Sequence, residues 1–166
     1  HGALGTGLLT LFVVVVVVFA SWRTKQNINT FRNEVAQLGA EIPAPVMDTE
    51  GLNGLPEPVK RYFAVSFTGP VQPHTSVRLK AQGRFRRPLT ESFHETSAEQ
   101  VIAVGVPALM FSATTWIYPG VWAQAYDYFA RGEMEMKAKV CAVFTVVDQR
   151  ESPELNRTSL RRWLLE

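Results

Sequence analysis

Few side chains in this sequence stand at spacings that chemistry would use. Asp127, Asp148 and Glu166 lie at the ends of expected strands and of the last helix. They could serve as general acid and base if the fold brought them together. A carboxylate in such a position is more often solvated or salt-bridged than catalytic. Arg162 precedes Glu166 by four residues, so the two can pair across one helical turn, or Arg162 can look into a sheet concavity. His74 and His94 have no second histidine or cysteine at ligand spacing; they read as surface histidines, and no zinc site is expected. Cys141 is the single cysteine. It can form no internal disulfide, and in an apolar strand it reads as an inert buried thiol. No Gly-x-Ser-x-Gly elbow, phosphate loop or dinucleotide fingerprint is present, and no cofactor is expected.

Binding chemistry has more to draw on. Trp116, Trp122, Tyr126 and Met134, with Arg162, are the candidate ligand-binding residues, because aromatic and thioether side chains suit an apolar cavity. The competing explanation is an ordinary core. Arg78, Lys80, Arg84, Arg86 and Arg87 form a basic set. Near a bilayer such residues attract anionic headgroups by about 1 kcal/mol each. A solvated outer sheet face with Glu91 and Glu95 nearby is the preferred account. The 17 Lys+Arg against 15 Asp+Glu leave a net charge of only +2, too little for a nucleic-acid footprint.

These residues need elements to hold them. Val77, Leu79, Ala81 and Phe85 alternate with Arg78, Lys80, Gln82 and Arg84, which predicts a half-buried strand from Thr75, with Gly83 as a bulge or a close approach. Met134, Met136, Ala138 and Val140 alternate likewise with Glu133, Glu135, Lys137 and Lys139. Further strands are expected at 98–104, 109–117 and 121–129, with Ala130-Arg131-Gly132 turning the chain. Short connections make the sheet antiparallel. Ser152 is a good N-cap and Pro153 suits a first helical turn, so a helix with Leu155, Leu160, Trp163 and Leu164 as its apolar stripe should follow. It runs to Glu166 without a stop signal, which suggests a helix cut short and an incomplete sheet.

Upstream, the stretch 2–22 carries no charge and contains six consecutive valines, Val13 to Val18. As a helix it is roughly as long as the ~30 Å hydrocarbon core of a bilayer is thick. Trp22, Arg23 and Lys25 are the membrane-interface candidates. An uncleaved anchor is preferred to a cleaved signal peptide, since no small-residue pair brackets Val18-Phe19-Ala20 cleanly. The chain begins with His1, so residues are expected upstream, and the side on which the rest of the chain lies stays open. Ile28, Phe31, Val35 and Leu38 mark one helical face over 23–39, read as a juxtamembrane stalk, either separate from the anchor or continuous with it, that stops at Gly39. Pro43, Pro45, Gly51 and Gly54 make 40–54 a linker, and a short helix with Val59, Tyr62 and Phe63 on one face opens the domain 55–166.

The order of these features resembles an uncharacterised bacterial family of unknown function. Its members have an N-terminal membrane segment followed by Leu-Pro-x-Pro-Val-x-x-Tyr, which Leu55 to Tyr62 matches. Gly83-Arg84-Phe85 resembles the family's Gly-x-Phe. Phe93 with Ala98-Glu99-Gln100, and Leu160 with Arg162, Trp163, Leu164 and Glu166, are similar to two further elements. The family's hairpin tends to carry two glycines, where this chain has only Gly132. The resemblance implies no catalytic residue. It implies members longer than this chain, which then looks like an N-terminal fragment.

The expected fold is therefore α+β: an N-terminal transmembrane helix, then a mainly antiparallel, half-barrel-like sheet with a packed C-terminal helix. The expected function is that of a single-pass membrane protein without catalytic activity. Its partners are the lipid bilayer and an apolar, lipid-like molecule or an envelope protein. An enzyme using carboxylates with Arg162 is the alternative.

Overall fold

A computed structural model describes residues 2–43, 51–67, 73–87 and 90–166. The elements are α1 (Gly2–Ala40), α2 (Glu57–Ser66), β1 (Ser76–Arg86), β2 (Phe93–Ala103), β3 (Leu109–Tyr118), β4 (Val121–Ala130), β5 (Glu133–Val140), β6 (Phe144–Arg150) and α3 (Pro153–Leu165). The six strands form one open antiparallel sheet in chain order. The fold is α+β, as expected. Of the linker, residues 44–50 lie outside the described residues, and Gly51–Gly54 form a 3-10 turn.

The hairpins follow from local chemistry. Between β4 and β5, Arg131 and Gly132 both take positive φ, 54° and 82°. That is the backbone twist a two-residue hairpin needs, and it closes the register at Ala130 opposite Glu133. Between β3 and β4, Pro119 precedes Gly120 at φ 78°, a type II arrangement.

The expected set of strands needs two corrections. β2 begins at Phe93, not Ala98, because His94, Thr96 and Ala98 pair with Phe85, Gly83 and Ala81 across the whole length of β1. β6 was not expected, because Phe144 and Val146 stay exposed and no clean alternation marks an edge strand shifted by a bulge at Ala138/Lys139.

Strand alternation gives the sheet two faces, each packed against one helix. On one face Val101, Met110 and Tyr126 meet Ile28, Phe31 and Val35 of α1. On the other Ile102, Leu109, Phe129 and Met134 meet Leu155 and Trp163 of α3. The segment expected as a stalk is thus the C-terminal part of one continuous helix, and its apolar face is half of a core cluster. Val35 is wholly buried there. Gly39 stands one residue before the end of the helix at Ala40, close to the expected stop. It lets the backbone of Thr75 pass, since a Cβ at 39 would collide with the Thr75 carbonyl oxygen.

α3 starts as its sequence predicts. The Ser152 hydroxyl accepts a hydrogen bond from the Leu155 amide. Its buried stripe differs from the expected one. Leu160 and Leu164 are exposed, while Ser159 is buried and the Trp163 indole donates to the Ala103 carbonyl at 2.8 Å. The face on the sheet runs Leu155, Ser159, Arg162 and Trp163, so polar groups were part of the stripe and hid it.

The N-terminal half of α1 projects beyond the sheet with Leu8, Leu9, Leu11 and Phe12 exposed. By length and composition it could cross a membrane, with a mean hydropathy of 2.2. A signal sequence has the same character. α2 has no buried residue, and Val59, Tyr62 and Val65 face outward.

Candidate functional site

α3 covers only half of its sheet face. The remaining half is an apolar groove of about 670 Å³. Its floor is Ala81, Ala98, Ala113, Ala123, Ala125 and Ala138, contributed by five adjacent strands, with Val146 and Val147 of the sixth at one side. The registers put Ala81 opposite Ala98, Ala98 opposite Ala113, Ala113 opposite Ala125 and Ala125 opposite Ala138, so one line of methyl groups crosses the sheet. Alanine leaves a trough where larger side chains would meet and fill it. Phe111 stands at the end nearest α3; Phe85, Arg87, His94 and Ile117 line the opposite end. From residue 117 to 111 along β3 the trough extends roughly 20 Å, at about 3.3 Å per residue.

Where the trough meets α3, a polar cluster closes it. The Arg162 guanidinium lies 5.1 Å from the Phe111 ring centroid. It donates to Asp127 Oδ2 at 3.2 Å, to Gln100 Oε1 at 3.3 Å and to Glu166 Oε1 at 2.8 Å. The Gln100 amide in turn donates to Glu166. Burial raises the Asp127 carboxyl above its ordinary range, and the charge of Arg162 reverses this only in part. Every described polar group of the cluster bonds another member, and the groove beside it is lined by Phe111.

The expected acid–base trio is therefore divided. Asp127 and Glu166 share Arg162, whereas Asp148 lies on the α1 face, 3.1 Å from Lys137 and 3.4 Å from Arg150. There the Tyr126 hydroxyl donates to Glu135, and Arg150 reaches the same carboxylate at 3.1 Å. Burial, with Glu135 next, raises the Tyr126 phenol.

The expected ligand residues are divided too. Met134 and Arg162 are on the α3 face, with Met134 buried in the core under α3. Trp116, Trp122 and Tyr126 are on the α1 face. Trp116 and Trp122 pair across β3 and β4 with ring centroids 5.9 Å apart, and Tyr126 packs on Phe31 at 5.7 Å. The groove itself is built from alanines, which the sequence reading passed over. Six alanines spread one or two to a strand, Ala81, Ala98, Ala113, Ala123, Ala125 and Ala138, were its one visible signal.

Beneath α1 a second cavity of about 370 Å³ is polar, lined by Lys25, Asn29, Arg32, Lys80, Gln82 and Glu99 among others. Arg32 pairs with Glu99 at 2.9 Å and donates to the Ser112 hydroxyl at 2.6 Å. Burial lowers its pKa despite Glu99. Lys25 lines this cavity, while Trp22 is exposed and packs on Phe19 at 6.0 Å. Arg23 is exposed. Cys141 is half-buried in the β5–β6 turn at φ 48°, not in a strand. Among the described residues no three His, Cys, Asp or Glu side chains converge on a metal position.

The chain matches no curated protein and no solved structure. Residues 53–166, the greater part of the chain and the whole of the sheet with α2 and α3, match a family of unknown function, DUF6920, and the protein belongs to that family.

Proposed function

We propose that this is a single-pass membrane protein whose sheet holds one apolar chain of a lipid-like molecule in the alanine-floored groove. One observation carries the reading: an apolar trough of about 670 Å³ left uncovered beside α3. A trough of this volume is within the range of small-molecule sites. Polar groups are few along its floor, and those at its α3 end are bonded to each other. Burying an alkyl chain is worth about 0.8 kcal/mol per methylene, so a chain lying along the trough would bind without any specific polar contact. α1 supplies the tether, with Trp22, Arg23 and Lys25 at the lipid–water boundary.

A fluorescent polyene fatty acid tests the site. Its emission should rise on adding the chain in detergent. Ala113→Phe and Ala125→Phe, which fill the trough, should abolish the rise, and Trp122→Ala, on the other face, should leave it intact. An unchanged signal in the filled variants rejects the groove.

The Asp127–Arg162–Glu166 cluster favours a second reading, in which the domain is an enzyme using these carboxylates. Asp127 with a raised pKa is the group that would serve as acid. The closed hydrogen bonding of the cluster supports a structural role instead.

A further inference from the structure

The sheet has two ends, and they differ. All the exposed aromatic rings on its described strands lie at one end: Phe85, Phe93, Trp116, Tyr118 and Phe144, between 47% and 70% exposed. The registers place them there together, at the outer ends of β1 to β3 and of β6. Arg84 and Arg86 flank Phe93, at 5.6 and 5.7 Å from its ring centroid, and Arg87 follows. The nearby acids are Glu91 and Glu95, the latter 3.8 Å from Arg84. The opposite end carries ion pairs instead, Arg131 with Glu34 and Arg150 with Glu135.

α1 crosses from the charged end to the aromatic end as its numbering falls. Gly39 meets Thr75 and Ala103, Arg32 meets Glu99 and Ser112, and Lys25 shares a cavity with Thr114 and Gln124. Trp22 is three residues beyond Lys25, about 4.5 Å along the helix. Trp116 is two residues beyond Thr114, roughly 7 Å along the strand. Both tryptophans therefore follow this cavity in the direction of the aromatic end, and the apolar half of α1 leaves the domain on that side.

We infer that this end is a membrane-docking rim, seated on the surface of the same bilayer that α1 spans. The inference rests on the reading of α1 as an anchor. Exposed aromatic rings with arginines are the composition of a lipid–water boundary, and the anchor with Trp22 leaves the domain on the same side. A patch of this kind in open water would be a liability. The rim also carries the open end of the groove, since Phe85, Arg87, His94 and Ile117 belong to it. A lipid chain can pass from the bilayer into the trough without crossing water, while α3 and Arg162 close the far end.

The test uses the full chain with Cys141→Ser in discs that hold one copy each, of phosphatidylcholine mixed with phosphatidylglycerol. An environment-sensitive label is placed at Tyr118→Cys or, at the other end, at Arg131→Cys. The rim predicts a blue-shifted label at 118 that soluble iodide barely quenches, and a freely quenched label at 131. Arg86→Gln and Arg87→Gln should each lower the docked fraction's equilibrium constant about five-fold. Equal quenching at both positions, in chains that resist alkaline carbonate extraction, overturns the rim and leaves the anchor standing. Release by carbonate overturns the anchor and the rim with it. Protection of 118 seen only in vesicles crowded with copies, and lost in single-copy discs, would assign the rim to a second copy and overturn the proposal.

Discussion

Asp127 is the residue whose environment departs furthest from what its position in the sequence announces. It pairs in register with Phe111 on β3 and Met136 on β5, so its carboxylate is planted between apolar neighbours. Its folded pKa is raised, chiefly by burial. Such a carboxyl binds its proton more tightly folded than unfolded, so protonation favours the folded state. The stability gained is absent well above the folded pKa and grows as pH falls towards the ordinary value of 3.8. Asp127→Asn removes this titration. The difference in melting temperature between the unaltered chain and the variant should shift in favour of the unaltered chain as pH is lowered from 7 towards 4. A difference independent of pH would mean that Asp127 is not desolvated. Arg162 with Glu166 was legible as an i, i+4 pair. Asp127 and Gln100 were not, because strands far apart in sequence bring them to Arg162. Trp116 and Trp122, expected to bind a ligand, lie on the face opposite the groove for a related reason. Composition shows that aromatic side chains exist, but only strand register assigns them to a face.

At the scale of elements, periodicity revealed the helical face Ile28, Phe31, Val35 and Leu38, but not its partner. The partner is the alternating set Val101, Met110 and Tyr126. Phe31 stacks on Tyr128 at 4.2 Å, and Arg32 joins Glu99, so α1 belongs to the domain's core rather than to a stalk. Met110 is wholly buried between α1 and the sheet. Met110→Ala should cost about 2–5 kcal/mol, as for other large-to-small core changes. Chemical denaturation of the full chain in detergent checks this. A loss below 1 kcal/mol would show that α1 does not pack here. The β4–β5 hairpin was readable because turn residues act locally: Gly132 takes the positive φ that glycine allows at no steric cost. β6 was unreadable because an edge strand needs no apolar alternation, and the α3 stripe because Ser159 and Arg162 occupy places where leucine was expected.

For the whole molecule, one asymmetry organises the account. The sheet is charged at one end and aromatic at the other, packed by α1 on one face and half-covered by α3 on the second. The uncovered half is the alanine trough, which opens among the aromatic rings. α+β architecture and an N-terminal apolar helix could be read from the chain itself. The trough could not, because it consists of missing volume, which is a property of five strands in register and of none alone. Its occupancy is the central claim. Native mass spectrometry of the protein purified from membranes measures it directly. The account predicts a bound species of lipid mass that is retained in Trp122→Ala and lost in Ala113→Phe. Absence of any such species in the unaltered chain, or its undiminished retention in Ala113→Phe, would contradict it.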